Sequence, residues 1–173
     1  MNQERSTDAS EKLRGIAHRF PADERREGGG THITRWFVPT DYALTNPFLL
    51  FDETKSDKIE EYAGGFPEHP HRGFETVSYM LRGKLEHKDH VGNHGILESG
   101  SVQWMTAGRG IVHSEMPMQV EGLLWGFQLW INLPANKKMC EPRYQDIPAQ
   151  QIPKKTSTMA ARFVSSQEPS RSS

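Results

Sequence analysis

The chain is short of cysteine, of charge of either sign in excess, and of long apolar runs. A single cysteine, Cys140, excludes an internal disulfide framework and fits a reducing compartment. Lys and Arg number 21 against 22 Asp and Glu, giving a formal net charge of -1. With the basic residues dispersed, nothing marks a direct nucleic-acid footprint or a membrane-surface patch. No apolar run approaches the roughly 20 residues that span a bilayer, and "MNQERSTDASEKLRG" has no signal-peptide core. The expectation is a soluble, cytoplasmic protein without a membrane partner. At 173 residues it is long enough for one domain with a sizeable core.

What is present comes in three textures. Residues 1–30 are polar and charged, closing on Gly28 to Gly30, and read as an N-terminal arm. Residues 31–153 are built of short β-branched and aromatic stretches cut by glycine and proline turns, such as "THITRWFVP" and "NPFLLFDE". "FETVSYMLRGKLEHKDH" reads as a hairpin reversing at Arg82-Gly83-Lys84, and "GILESGSVQWMTAGRGIVHSEMP" repeats that grammar. "GLLWGFQLWINLP" alternates, setting Trp125, Phe127, Leu129, Ile131 and Leu133 on a greasy face against Gly126, Gln128, Trp130 and Asn132. Without a convincing amphipathic helix between strands, the expected fold is all-β, an antiparallel sandwich or barrel in a single domain. Residues 154–173 are Ser-rich and read as a mostly disordered tail.

Eight histidines punctuate this pattern. His69 and His71 stand two apart in "FPEHPHRGF", so a strand would send both rings to one face with Cα atoms roughly 6–7 Å apart, a chelating distance. In "VHSEMP", His113 and Glu115 share a face by the same period. If the two strands are neighbours, three imidazoles and a carboxylate converge. Such a set, with positions left for substrate, resembles non-haem iron sites more than closed structural zinc sites. Glu75 shares parity with His69 and His71, so Glu75 and Glu115 are both open as the carboxylate ligand, and either can serve as a hydrogen-bonded neighbour. His87, His90 and His94 read as exposed hairpin and loop residues, His94 near the cavity mouth. His18 lies in the arm and His32 at its junction with the first strand.

The segments "HPHRGFETVSYMLRGKLEHKD", "VQWMTAGRGIVHSEMP" and "LWINLPANKKMCEPRYQDIPA", with "DYALTNPFLLFDE" upstream, strongly resemble the pirin family of the cupin superfamily over roughly residues 14–153. The resemblance implies a cupin-type β-barrel, a jelly-roll sandwich, holding one Fe(II) per chain, with other divalent metals admitted. His69, His71, His113 and Glu115 match the family's ligand positions. Glu75 matches a ligand position of the general cupin motif but is not counted as a pirin ligand. The general motif usually has a proline in its second turn, where this chain has "TAGRG".

Two activities follow from the resemblance. One is a quercetin 2,3-dioxygenase, an iron oxidoreductase opening a flavonol-like aromatic substrate with O2. There Glu115 takes the substrate's hydroxyl proton, as a displaced ligand or a nearby base. The other is an iron-dependent, redox-sensing protein-binding module of the transcriptional co-regulator type. The lack of a basic nuclear-import stretch leans toward the enzyme. Pirins carry two cupin-like halves, and only the first is recognisable here. The chain is then a single-domain form or a truncated pirin without activity, and an uncovered barrel face favours homo-oligomers.

Overall fold

A computed structural model describes residues 16–153, so the arm up to residue 15 and the Ser-rich tail expected from residue 154 lie outside the described residues. Eleven strands are described, in two antiparallel sheets: β1 Asp23–Glu27, β2 Thr31–Phe37, β3 Phe48–Ser56, β4 Phe66–His71, β5 Phe74–Arg82, β6 Leu85–Asp89, β7 His94–Leu97, β8 Val102–Thr106, β9 Ile111–Pro117, β10 Leu124–Asn132 and β11 Arg143–Ile147. A seven-stranded sheet runs β1-β2-β3-β10-β5-β8-β11 and a four-stranded sheet runs β4-β9-β6-β7. This is the expected all-β jelly roll. Among the described residues no helix is long and apolar enough to cross a membrane.

Two readings of the chain change. Asp23–Glu27, polar enough to pass for part of the arm, is an edge strand: its sequence DERRE is wholly charged, which keeps an open edge from recruiting further strands. The glycine breaks after β5, β7 and β8 are not hairpin turns. At Gly83, with φ of 90°, the chain leaves the large sheet for the small one, and β6 pairs with β7 and β9 rather than with β5. Turn chemistry is the same whether a chain folds back beside itself or crosses to a facing sheet, so the sequence pattern alone does not separate the two.

Between the sheets lie two small apolar clusters. One joins Tyr62, Met80, Leu97 and Leu124, the other Met105, Ala107 and Ile111. A row of register partners separates them and is polar from strand to strand across the large sheet: Arg35, Asp52, Gln128, Ser78, Gln103 and Asp146. Polar groups survive there because they pair. Arg35 donates from Nε and Nη2 to the two oxygens of Asp52, each at 2.7 Å, and Gln103 Nε2 donates to Asp146 at 2.9 Å. The greasy face of β10 turns away from this interior and forms an aromatic row, Phe127 stacking on Phe51 at 5.4 Å and Phe51 on Phe37 at 6.0 Å. Its residues are half-buried. The opposite face, Gly126, Gln128 and Trp130, looks inward.

The β1–β2 turn is locked to the segment before β4. Gly29 N–H donates to the Gly65 carbonyl at 2.9 Å, and a Cβ on Gly29 or Gly64 would run into the other's carbonyl oxygen.

Candidate metal centre

β4 and β9 are antiparallel neighbours, with His69 opposite His113 and His71 opposite Ile111. The strand period and this register together bring His69, His71 and His113 into one cluster. Ring centroids are 4.7 Å apart for His69 and His71, 4.5 Å for His69 and His113, and 4.9 Å for His71 and His113. One nitrogen from each ring falls within 4.8 Å of the other two. His71 and His113 are buried and His69 half-buried.

The chemistry of this set suits a cation. His69 Nδ1 is 2.8 Å from the Pro67 carbonyl, which can only accept, so Nδ1 carries the proton and Nε2 its lone pair. That lone pair faces His71 Nε2 at 3.0 Å. Both ring nitrogens of buried His113 lack a hydrogen-bond partner within the protein. Burial pushes the His71 pKa down to about 3, with His113 and His69 adding to the shift, and burial likewise lowers His113. Neutral imidazoles whose lone pairs converge are the donor form that Fe(II), Ni(II) and similar divalent ions take. Trp130 sets one side, its ring meeting His71 at 5.1 Å and stacking on Phe74 at 4.5 Å.

Glu115 follows His113 by two residues on the same face of β9 and is buried. Its carboxylate is engaged with the opposite sheet: Oε1 accepts from Ser78 Oγ at 3.2 Å and from Gln128 Nε2 at 3.1 Å, and Oε2 accepts from Gln128 Nε2 at 2.8 Å. It stands beside the three imidazoles without joining the set of mutually close nitrogens. Glu75 is elsewhere. The chain changes sheets at Arg72–Gly73, where Gly73 has φ of 80°, so the parity of His69 and His71 does not carry into β5. Glu75 instead accepts from Thr106 Oγ1 at 2.6 Å on the face of the large sheet that carries Trp104.

His87 is not the exposed hairpin residue that its surroundings in the sequence suggest. It is buried on β6, directly opposite Glu115 on β9, with its ring 5.1 Å from that of Tyr144. Burial lowers its pKa against the pull of Asp146 and Glu115, and neither ring nitrogen has a partner. Space for the ring comes from Gly95 across the strand pair, where a Cβ would sit 2.5 Å from His87 Nε2. That glycine is the only sequence signal, and it is silent until the pairing is known. His90 and His94 are exposed, His94 paired with Glu86 at 2.9 Å. His18 packs edge-on against Phe20, and His32 lies 3.8 Å from Glu24.

His69, His71 and Glu115 line a cleft of about 590 Å³ whose walls include Phe66, Trp130, Gln128 and the Arg35–Asp52 pair. The volume lies within the roughly 300–1,000 Å³ typical of small-molecule sites. Arg35 and Asp52 carried no motif and escaped the sequence reading. Burial raises the Asp52 pKa despite the guanidinium opposing it, and Arg35 Nη1 reaches on to Glu27 at 3.2 Å, tying the edge strand to the cleft.

The sequence matches the family profile described as Pirin over residues 30–131. It is 50% identical over 127 residues to a pirin-like protein of Caulobacter vibrioides, covering 73% of this chain and 46% of that protein. A crystal structure of quercetin 2,3-dioxygenase from Acinetobacter baumannii superimposes with a TM-score of 0.69 at 38% identity, over 78% of this chain and 49% of that one. A bacterial pirin of Escherichia coli in complex with nickel(II) matches at TM-score 0.55 and 28% identity, over 72% of this chain and 53% of its own. The chain spans about half the length of the relatives it matches.

Proposed function

The chain belongs to the pirin family of cupin proteins, and from that premise we propose that it is a metal-dependent dioxygenase of the quercetin 2,3-dioxygenase type, binding one Fe(II) through His69, His71 and His113. The observation that carries this reading is the convergence of three imidazoles, two of them buried and held neutral, at a cleft large enough for a flavonol. A nickel complex of a relative at 28% identity supports a divalent ion in general. Iron is chosen because neutral nitrogen donors with open positions fit oxygen chemistry.

Bound iron would supply the Lewis acidity and one-electron chemistry that let O2 react with a closed-shell organic molecule. The protein's own residues do the rest. Phe66 and Trp130, both in the cleft wall, flank a flat aromatic substrate. Glu115, a carboxylate beside the imidazoles, takes the proton of the flavonol 3-hydroxyl. It has two stations: the one seen, against Ser78 and Gln128, and the fourth-ligand position that the family resemblance assigns.

The test uses anaerobically iron-loaded protein mixed with quercetin under air. Turnover bleaches the flavonol absorption and releases carbon monoxide, one ring carbon leaving as both oxygen atoms enter the product. His71→Ala and His113→Ala should each lose most of the metal, and chelation of the wild type should stop turnover. Glu115→Gln should slow the reaction by roughly 100- to 10,000-fold, the range for loss of a general base. Full metal retention by both histidine variants sinks the ligand assignment. A folded, metal-loaded chain that releases no carbon monoxide sinks the dioxygenase.

A further inference from the structure

The seven-stranded sheet brings to the cleft a carboxylate that the metal centre does not use. Asp52 on β3 stands in register with Gln128 on β10 and with Arg35 on β2, and all three line the cleft. Sheets stacked face to face lie roughly 10 Å apart, so a molecule that reaches from the imidazoles of the four-stranded sheet to Asp52 is about as long as a three-ring phenol. The carboxylate is fixed but not exhausted. Arg35 Nε and Nη2 each donate to one of its oxygens at 2.7 Å, and among the described residues no other side-chain donor reaches it. An ionised carboxylate has about four acceptor positions and no donor, which leaves roughly two for a ligand that brings hydrogens. The Asp52 side chain is 14% exposed, so it keeps an opening to the cleft.

Charge narrows the ligand further. Glu27, Asp52, Glu68 and Glu115 line the cleft against one guanidinium, that of Arg35, whose charge is already shared between Asp52 and Glu27. A divalent ion held at the imidazole end answers only two of these four carboxylates, so the Asp52 end stays negative. A sulfate or carboxylate placed there meets repulsion, whereas a neutral hydroxyl donates.

We propose that Asp52, clamped by Arg35, is a specificity-determining residue that accepts hydrogen bonds from hydroxyl groups on the substrate ring remote from the metal. The substrate class is a neutral aromatic with a metal-binding oxygen pair at one end and phenolic donors at the other, and its anionic conjugates are turned away. This rests on the reading of the cleft as a flavonol site beside a metal centre.

The experiment measures equilibrium binding to the full chain loaded with Co(II), a stable stand-in for Fe(II), under argon so that nothing turns over. Three flavonols share the metal-binding end and differ at the remote ring: quercetin has two hydroxyls there, galangin none, and quercetin 3′-sulfate one hydroxyl and an anion. Quercetin should bind more tightly than galangin by roughly 10- to 100-fold, the scale of a hydrogen bond to a charged group, and the sulfate no better than galangin. Asp52→Asn keeps the shape and removes the charge. It should bring quercetin close to galangin and relieve the discrimination against the sulfate, whereas a merely structural effect would weaken all three ligands alike. Equal affinity for quercetin and galangin in the wild type overturns the inference, and so does a preference that survives Asp52→Asn. If Asp52→Asn does not fold by circular dichroism, the wild-type series decides alone. A chain that binds none of the three overturns the flavonol site and the inference with it. Quercetin preferred over galangin, with no carbon monoxide released by the Fe(II) form under air, removes the dioxygenase and leaves the Asp52 contact standing, so the two failures are distinguishable.

Discussion

His71 sits at about 3 where an exposed imidazole titrates near 6.5, chiefly because burial penalises its charged form. Between these values the unfolded chain binds a proton that the folded metal-free chain refuses, so stability rises with pH through that window. The contribution of His71 is complete above about 6.5 and drains away as the pH falls toward 3, and His113 and His87, shifted the same way, add to it. The expected outcome is a melting temperature of the metal-free protein that is flat above neutrality and declines on acidification below about 6.5. His71→Asn should flatten that decline, as scanning calorimetry at a series of pH values would show. At this scale the sequence was informative where one strand carried the information. His69 with His71, and His113 with Glu115, were legible because a period of two needs no knowledge of neighbours. Glu75 was misleading because its parity was counted across a change of sheet, and His87 was hidden because its burial depends on Gly95 in another strand.

Among the elements, β10 carries most of the interior design. It lies at the centre of the large sheet between β3 and β5, and its two faces do different work: an aromatic row on one side, Gln128 and Trp130 on the other. The alternation was plain from "GLLWGFQLWINLP", and the half-buried greasy face agrees with it. Which face would line the site was not plain, because hydrophobicity ordinarily marks the inside and here the inward face of β10 carries Gln128 in a polar row between two apolar clusters. Gly126 shows how closely β10 fits β5. A Cβ there would stand 2.7 Å from Met80 Sδ and 3.0 Å from the Tyr79 carbonyl. Gly126→Ala should therefore destabilise the protein by about 1–3 kcal/mol, the usual cost of overpacking, measurable as a lower urea midpoint with unchanged slope. A midpoint equal to wild type would mean that Met80 moves aside without penalty.

For the whole molecule, the two sheets have unequal tasks. The three imidazoles all belong to the four-stranded sheet, while Ser78, Gln128 and Trp130 belong to the seven-stranded one, and Glu115 spans the space between them. The all-β class and strand-turn rhythm were legible because strands this short announce themselves by composition. The sheet order was not, since most connections after β4 carry the chain to the facing sheet and leave no local trace of the partner. The glycine contact at the rim has a consequence of its own. Gly28 and Glu27 border the cleft on one side and Phe66, Pro67 and Glu68 on the other, and the two borders touch through Gly29 and Gly64 with no side chain between them. The aperture is thus gauged by bare backbone, like a caliper closed to its stop. Gly64→Ala should wedge it wider and raise the KM of the proposed quercetin turnover several-fold while changing the Co(II) affinity less, because the wedge acts at the start of β4, ahead of the stretch that carries His69 and His71. Admission of substrate and retention of metal would then be separately adjustable, the first by the thickness of two glycines.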